Sequence, residues 1–243
     1  MSDAFKGLYF REWKMMRGFF IGQFVVLVVM LFIPIGSNLT DKFLELLTLA
    51  PIIVPAAIMF SLNTEVNQME LFLHNPQSIH KLIFVKFVNG LVFALSFVFV
   101  VMISFFFIDL LWPVFDLNSF ATSLYLLSFT MRLMISSIPF IALLLFLWTL
   151  HQIFRKYLGT LFSLVIVIAV LVVGTQLIVQ VSHFDFYQLF TKWGAIELPH
   201  YRESSGVILK RNTIYLGNII FYGGISAILY FFSTYLIDRK MEV

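Results

Sequence analysis

Long runs of apolar residues without any Asp, Glu, Lys or Arg dominate the chain. Six such runs occur, at residues 18–40, 46–64, 87–108, 133–154, 157–184 and 212–237. Each is close to or longer than the ~20 residues that an α-helix needs to cross ~30 Å of hydrocarbon. The runs are apolar on all faces, whereas the strands of a membrane β-barrel alternate in polarity. The pattern therefore predicts an all-α membrane protein with six transmembrane helices, and residues 1–243 are treated as a single membrane domain.

Residues 1–18 form an amphipathic segment ahead of the first run. Apolar and aromatic side chains, among them Leu8 and Trp13, recur in it at helical spacing, and the basic side chains lie off that stripe. A basic amphipathic helix with aromatic residues is typical of one that lies in the membrane interface. The alternative is that the segment is only the charged start of the first span.

A polar stretch at residues 62–80 separates the second and third runs. Glu65 and Glu70 lie five residues apart in it, and Pro76 ends a short amphipathic helix because proline lacks a backbone donor. Ser78 can then cap the following helix. The apolar side of the short helix consists of Met69, Phe72 and Leu73. An apolar side beside a carboxylate side favours docking on a partner protein; the alternative is that the glutamates are the solvated face of a loop.

The longest polar-containing stretch between two runs is the outer segment 181–213. Its six aromatic residues argue against a disordered loop. We expect short helices that lie at or dip into the outer membrane interface. Simple aromatic anchoring and a gating role are both open for this segment.

Composition supports a lipid environment and excludes several functions. The chain is 60% hydrophobic and 12% charged, against roughly 45–50% and about 25% in soluble domains. It contains no cysteine, which excludes disulfides and thiol chemistry. The net charge of +3 is accounted for by basic residues that flank the runs, so no nucleic-acid partner is implied.

The distribution of Lys and Arg predicts the orientation. With the N-terminus inside, the cytoplasmic segments hold 10 of the 16 basic residues, and cytoplasmic ends of spans are enriched in Lys and Arg. We therefore expect a multi-pass protein of the plasma membrane with both termini in the cytoplasm.

Candidate chemistry along the chain is sparse. There is no glycine-rich phosphate loop followed by Lys and Ser or Thr, and the five histidines lack metal-ligand spacing. No carboxylate relay lies at mid-membrane depth, so active transport would need an energy source outside the chain. Four amide side chains are candidates for hydrogen bonding along a pathway, namely Gln23, Asn89, Gln176 and Gln180. The alternative is that they only bond between helices.

Two segments resemble the type-2 permeases of ATP-binding-cassette exporters. The inner stretch reads Glu65-x4-Glu70-Leu71-Phe72-Leu73-x-Asn75-Pro76-x-Ser78, followed by Lys86. It is similar to the family's inner loop after the second span, although the family's Arg-Gly-Thr between the glutamates is replaced by Val66-Asn67-Gln68. The N-terminal Arg11-Glu12-Trp13-Lys14, with Arg17, is similar to the family's connecting helix.

The resemblance implies a coupling helix at about residues 64–75 that docks on a separate ATPase subunit, which would bind the ATP and Mg. The coupling residues would be Glu65, Met69, Glu70, Phe72, Leu73 and Pro76. It also implies a second permease copy, either identical or a paralogue, and no enzymatic activity in this chain. Among family members, bacterial exporters of amphipathic peptides such as phenol-soluble modulins are the most similar. Export of lipophilic drugs or lipids, a membrane-embedded lipid-modifying enzyme and a sensory membrane protein are the alternatives.

Overall fold

The computed structural model describes residues 3–32, 39–66, 78–111, 120–197 and 213–240, and nearly all of these residues are helical. In chain order the elements are α1 (Asp3–Phe32), α2 (Leu39–Val66), α3 (Ile79–Leu111), α4 (Phe120–Ser182), α5 (Asp185–Thr191), β1 (Ala195–Glu197), β2 (Thr213–Tyr215) and α6 (Leu216–Lys240). Within these ranges, five helices are long and apolar enough to cross a membrane by length and composition, namely α1, α2, α3, α4 and α6. The prediction of a helical protein with several membrane-compatible helices is confirmed.

The chain divides into two compact units, Met1–Ser137 and Ile138–Val243. In the first unit α1, α2 and α3 pack together, and the most extensive contact joins α2 to α3. The core of this unit is apolar, and its fully buried side chains include Leu47, Val54, Leu62, Val85, Phe93 and Val101. Helices of this unit therefore pack through one face while their other faces remain apolar and exposed, as in a bundle surrounded by lipid.

α2 and α3 approach each other closely at Gly90. A Cβ atom added there would lie 3.2 Å from both Cγ1 and the carbonyl oxygen of Val54. Two helix backbones can come this close only where a residue has no side chain. Gly90 therefore sets the distance between α2 and α3.

The structure shows no helix boundary between the amphipathic segment and the first span, and the interfacial location of that segment stays a prediction. α1 runs without a break from Asp3 to Phe32, so this segment is the first half of the helix that contains the first span. The physical reason is that nothing interrupts the helix: the segment contains no proline, and an isolated glycine such as Gly18 weakens a helix without ending it.

The second unit contains a sharp reversal of α4 at Gly159. This residue has φ 79° and ψ 171°, a conformation that only glycine adopts without strain. His151 Nδ1 and Ser163 Oγ are hydrogen-bonded although they are 12 residues apart, a separation of ~18 Å on a straight helix. α4 therefore folds back into two limbs, and the break lies at Gly159, shortly after residues 155–156, which separate the fourth and fifth apolar runs. Arg155 and Lys156 remain helical and exposed just before the break.

The described part of segment 181–213 contains the short helix α5 and the strand β1, and β1 pairs with β2 just beyond the segment's end. β1 and β2 pair antiparallel, with Ile196 opposite Ile214. α5 packs on α6 through a hydrogen bond of 3.0 Å between the hydroxyls of Tyr187 and Tyr222. Burial, together with this hydrogen bond, raises the pKa of Tyr187 to about 12, so its hydroxyl stays protonated at physiological pH.

The first prediction concerns Gly90. Gly90→Leu should lower the stability of the protein in detergent by about 1–3 kcal/mol, because the added side chain must push α2 and α3 apart. Thermal unfolding measures the effect. The control is Gly22→Leu, where a Cβ meets nothing within 4 Å. Equal melting temperatures for the two variants would contradict the close packing at Gly90.

Candidate functional site

Three charged side chains from three different helices meet inside the first unit. Lys86 Nζ of α3 lies 2.9 Å from Glu12 Oε1 of α1 and 2.7 Å from Glu65 Oε2 of α2. Lys86 also donates a hydrogen bond of 2.6 Å to Ser61 Oγ, and Ser61 donates one of 2.9 Å to Glu12 Oε2. We call Glu12, Ser61, Glu65 and Lys86 the ion cluster.

The ion cluster is closed to solvent. The side chains of Glu12 and Lys86 are each 1% exposed, and that of Glu65 is 7% exposed. Lys86 donates hydrogen bonds to Glu12 Oε1 and Ser61 Oγ, and its ammonium group is also ion-paired with the Glu65 carboxylate. The cation therefore has all of these partners within the protein.

Helical periodicity brings the four residues together. On α1, Glu12 lies one turn from the buried Leu8 and Met16, so it belongs to the stripe that faces the other helices. On α2, Ser61 and Glu65 are one turn apart and share a face. These faces become neighbours only when the three helices pack, so the cluster is a tertiary feature.

The charged residues of the ion cluster depend on one another for stability. Each charge buried alone would cost several kcal/mol, and removal of one partner from a buried ion pair typically costs about 3–5 kcal/mol. Arg11 adds a fourth charge at the edge, 3.7 Å from Glu65 and with 48% of its side chain exposed. An exposed pair of this kind contributes little, typically less than about 1 kcal/mol. The stability of the arrangement therefore depends on Lys86.

An aromatic group follows the ion cluster along the helices. The ring of Phe93, which is fully buried, lies 5.2 Å from the rings of both Trp13 and Phe20. Phe19 stacks on the same ring at 6.1 Å. These rings form the α1–α3 interface next to the cluster, on the side of the residues that follow Glu12 in α1 and Lys86 in α3.

The predicted connecting-helix and coupling residues have different positions: some are buried in the first unit, some are exposed, and others lie outside the described residues. Glu12 is in the ion cluster, Trp13 is in the aromatic group, and the remaining three side chains of that set, on Arg11, Lys14 and Arg17, are exposed. Glu65 belongs to the last turn of α2 and faces Lys86, so it is not part of a separate coupling helix. The other predicted coupling residues lie outside the described residues, namely Met69, Glu70, Phe72, Leu73 and Pro76.

The four candidate pathway residues fall into two pairs. Gln23 and Asn89 are buried in the first unit, whereas Gln176 and Gln180 are exposed on the second limb of α4. Gln23 Nε2 donates to the carbonyl oxygen of Phe93 at 3.4 Å and to Ser96 at 3.5 Å, which is bonding between helices. The side-chain amide of Asn89 is 1% exposed and has no hydrogen-bond partner among the described residues.

Sequence reasoning missed Lys86 and Ser61 as site residues. In the sequence Lys86 enters only as the lysine that follows the family-like inner stretch, whereas in the structure it is fully buried within α3. The sequence does indicate its burial, because Lys86 has only apolar neighbours in the stretch 82–88. A lysine in such a run needs a carboxylate partner, and Glu12 and Glu65 were the nearest candidates at neighbouring helix ends.

The geometry of the ion cluster favours a mechanical role over a chemical one. A general acid or base must reach a substrate proton, whereas both carboxylates are enclosed and paired with Lys86. Within the described part of the chain, no three His, Asp or Glu side chains are close enough together to hold a metal ion. What the cluster does is fix the end of α2, the first turns of α3 and the N-terminal half of α1 to one another.

The second prediction concerns Lys86. Lys86→Met should destabilise the protein by about 3–5 kcal/mol, because it leaves Glu12 buried without a cation and Glu65 with only the half-exposed Arg11. The triple variant Glu12→Leu, Glu65→Leu, Lys86→Met should recover most of that loss, since no charge remains buried. Thermal unfolding in detergent measures both, and Lys81→Met, on the exposed side of the same helix, is the control. A Lys86→Met variant as stable as Lys81→Met would rule out the cluster.

The third prediction concerns Asn89. Asn89→Leu should leave the melting temperature unchanged or raise it, because an unpaired buried amide costs about 1–3 kcal/mol. Asn89→Asp is the matched variant and should destabilise strongly, since it buries a charge at the same site. A large loss of stability in Asn89→Leu would mean that the amide has a partner.

Comparison of the chain with models of known protein families, with curated proteins and with solved structures finds no match. The assignment of a function therefore rests on the residues and their geometry.

Proposed function

We propose that this chain is the membrane-spanning permease subunit of an ATP-driven exporter. Five long apolar helices support a membrane protein, and the break in α4 at Gly159 is compatible with the proposed six spans. The absence of a phosphate-binding loop from the sequence supports a division of labour in which a separate ATPase subunit binds ATP and Mg.

The observation that carries the proposal is the position of the ion cluster around segment 67–77. Glu65 lies two residues before this segment and Lys86 lies nine residues after it, yet their charged atoms are 2.7 Å apart. Lys86 also holds Glu12 of α1 at 2.9 Å. A force applied to segment 67–77 would therefore reach α1, α2 and α3 together, which is what a coupling element between an ATPase and a permease requires.

The same geometry weighs against a lipid-modifying enzyme. That activity needs acid or base groups accessible at a membrane interface. Glu12 and Glu65 come together in the first unit, and both are enclosed and ion-paired with Lys86. A linking role accounts for their pairing, whereas a catalytic role does not.

The proposed cargo is an amphipathic peptide or toxin, with lipophilic drugs or lipids as the alternative. The exposed surface of the long helices is apolar and aromatic, and it suits a ligand already dissolved in the bilayer. The proposed assembly is two permease copies, identical or paralogous, with an ATPase subunit at the cytoplasmic side of the plasma membrane. The choice of peptide over drug follows the family resemblance.

The fourth prediction tests coupling. Glu70→Ala and Pro76→Leu should each reduce substrate-stimulated ATP turnover in the complex with the co-purified ATPase while leaving membrane insertion intact, because segment 67–77 is the proposed contact with that subunit. Glu45→Ala, which removes an exposed carboxylate near the other end of α2, is the control and should behave as wild type.

Two outcomes would contradict the proposal. Normal coupled transport in both variants would remove the assignment of segment 67–77, and failure of any ATPase to co-purify would remove the permease function. The cargo is tested by survival and export with amphipathic helical peptides, lipophilic drugs and polysaccharide precursors. Protection confined to drugs would overturn the peptide choice alone.

A further inference from the structure

The reversal of α4 brings exposed cations and exposed apolar side chains together at one end of the second unit. Arg155 and Lys156 are exposed in the last turn of the first limb. In the first turn of the second limb, Leu161 is 82% exposed and Phe162 is 70% exposed. We call residues 155–162 the reversal segment.

Contacts within α4 fix the shape of the reversal segment. Gly159 has φ 79°, and the chain turns back at this residue. His151 and Ser163 are hydrogen-bonded across the turn. The side chain of Ser163 is completely buried, although residues 160–162 and 164–165 on either side of it are exposed. The cations of the first limb and the apolar residues of the second limb therefore keep a constant arrangement.

α6 adds a third cation at the same end of the unit. The second limb ends next to α5, and the residues that follow α5 are hydrogen-bonded to the start of α6, so α6 runs back toward the reversal. The rings of Phe232 in α6 and Phe146 in the first limb lie 5.9 Å apart. Arg239 is ~10 Å beyond Phe232, and Arg155 is ~14 Å beyond Phe146, at 1.5 Å per residue. Arg239 is exposed and lies over the ring of Tyr235.

The cations at this end outnumber the carboxylates. Among the described residues, neither Arg155 nor Lys156 has an ion-pair partner. Asp238, beside Arg239, is the only described carboxylate at this end of the unit. An anion from outside the chain can therefore bind here without displacing an internal partner of Arg155 or Lys156.

The length of the second limb places the reversal segment at the edge of the hydrocarbon. Residues 160–182 extend over ~35 Å at 1.5 Å per residue, against ~30 Å of hydrocarbon. Leu161 and Phe162, in the first turn of this limb, are therefore within reach of the acyl chains. Arg155 and Lys156, just before the turn, are at the level of the headgroups, where basic side chains place their charges.

We propose that the reversal segment, together with Arg239, is a binding site for an anionic phospholipid. The cations hold the headgroup phosphate, since a guanidinium group can donate two parallel hydrogen bonds to a phosphate. Leu161 and Phe162 contact the acyl chains of the same lipid. An acidic protein surface would match the cations, but it would have to displace lipid from these two side chains. The inference requires only that the second limb spans the membrane, and it stands apart from the proposed export function.

Lipid-specific quenching next to the site measures the binding. Val165 is 62% exposed and lies one turn beyond Leu161, and the chain has no cysteine of its own. A fluorescent label on a Val165→Cys variant is read in bilayers in which either phosphatidylglycerol or phosphatidylcholine carries an acyl-chain nitroxide. Phosphatidylglycerol should be favoured roughly fivefold or more, since one basic residue near an anionic surface already contributes about that factor.

A label at the far end of the same limb is the positional control. Leu177 is 55% exposed and lies ~18 Å further along the helix than Val165. The labelled Leu177→Cys variant should be quenched about equally by the two lipids, because it is remote from the cations of the reversal segment.

Charge variants assign the preference to the reversal segment. With the label at residue 165, the pair Arg155→Gln and Lys156→Gln should lose most of the preference for phosphatidylglycerol. The pair Arg155→Lys and Lys156→Arg keeps both charges and should retain it. Lys192→Gln, which removes an exposed cation of α5, is the matched control and should also retain it.

Soluble phosphate distinguishes a lipid site from a site for free phosphate. Inorganic phosphate, added at constant ionic strength, should leave the preference unchanged, because it lacks the acyl chains that Leu161 and Phe162 contact. Loss of the preference in inorganic phosphate would assign the cations to a soluble anion and overturn the lipid assignment.

Each remaining outcome also overturns the proposal. Equal quenching by the two lipids at residue 165 would mean that the site does not select an anionic headgroup. A preference that survives in the double glutamine variant would place the anionic lipid elsewhere. Absence of quenching by either lipid would mean that protein or water covers this surface, which is the result expected for an acidic protein partner.

Discussion

A lysine ammonium group cannot stay buried among apolar helices without negative partners, and the first unit is arranged around that constraint. Lys86 obtains one carboxylate from α1, another from α2 and a hydroxyl from Ser61. Satisfying the cation therefore requires all three helices to be in place at once. Apolar contacts alone select one packing of membrane helices only weakly, since lipid is as apolar as the side chains. The ion cluster fixes the positions of α1, α2 and α3 along one another.

This constraint connects structure to the proposed function. The cluster lies where α2 ends and α3 begins, so it fixes both ends of segment 67–77. Motion of that segment cannot be absorbed by separating α2 from α3 without breaking the buried Lys86–Glu65 pair, and disruption of a buried ion pair costs several kcal/mol. The Phe93 group continues the contact between α1 and α3 along the bundle. We therefore expect α1, α2 and α3 to move together as one rigid unit.

The helices themselves could be predicted from the sequence, whereas their contacts could not. Charge-free runs mark the spans because transfer of charge into hydrocarbon is expensive, and that rule needs no tertiary knowledge. The pairing of Lys86 with Glu12 spans 74 residues, and that with Ser61 spans 25. Such pairs depend on which helix faces meet. The charge pattern separates the fourth and fifth runs at Arg155 and Lys156, but these residues remain helical and the chain reverses at Gly159. The contacts of segment 67–77 stay a prediction.

The central claim is that Glu12 and Lys86 act as one unit, and a double-mutant cycle measures this directly. Free energies of unfolding in mixed detergent are compared for wild type, Glu12→Leu, Lys86→Met and the double variant. The account predicts a coupling energy of about 2 kcal/mol or more, as for close, desolvated charge pairs. A coupling energy below about 0.5 kcal/mol, typical of exposed pairs, would contradict it.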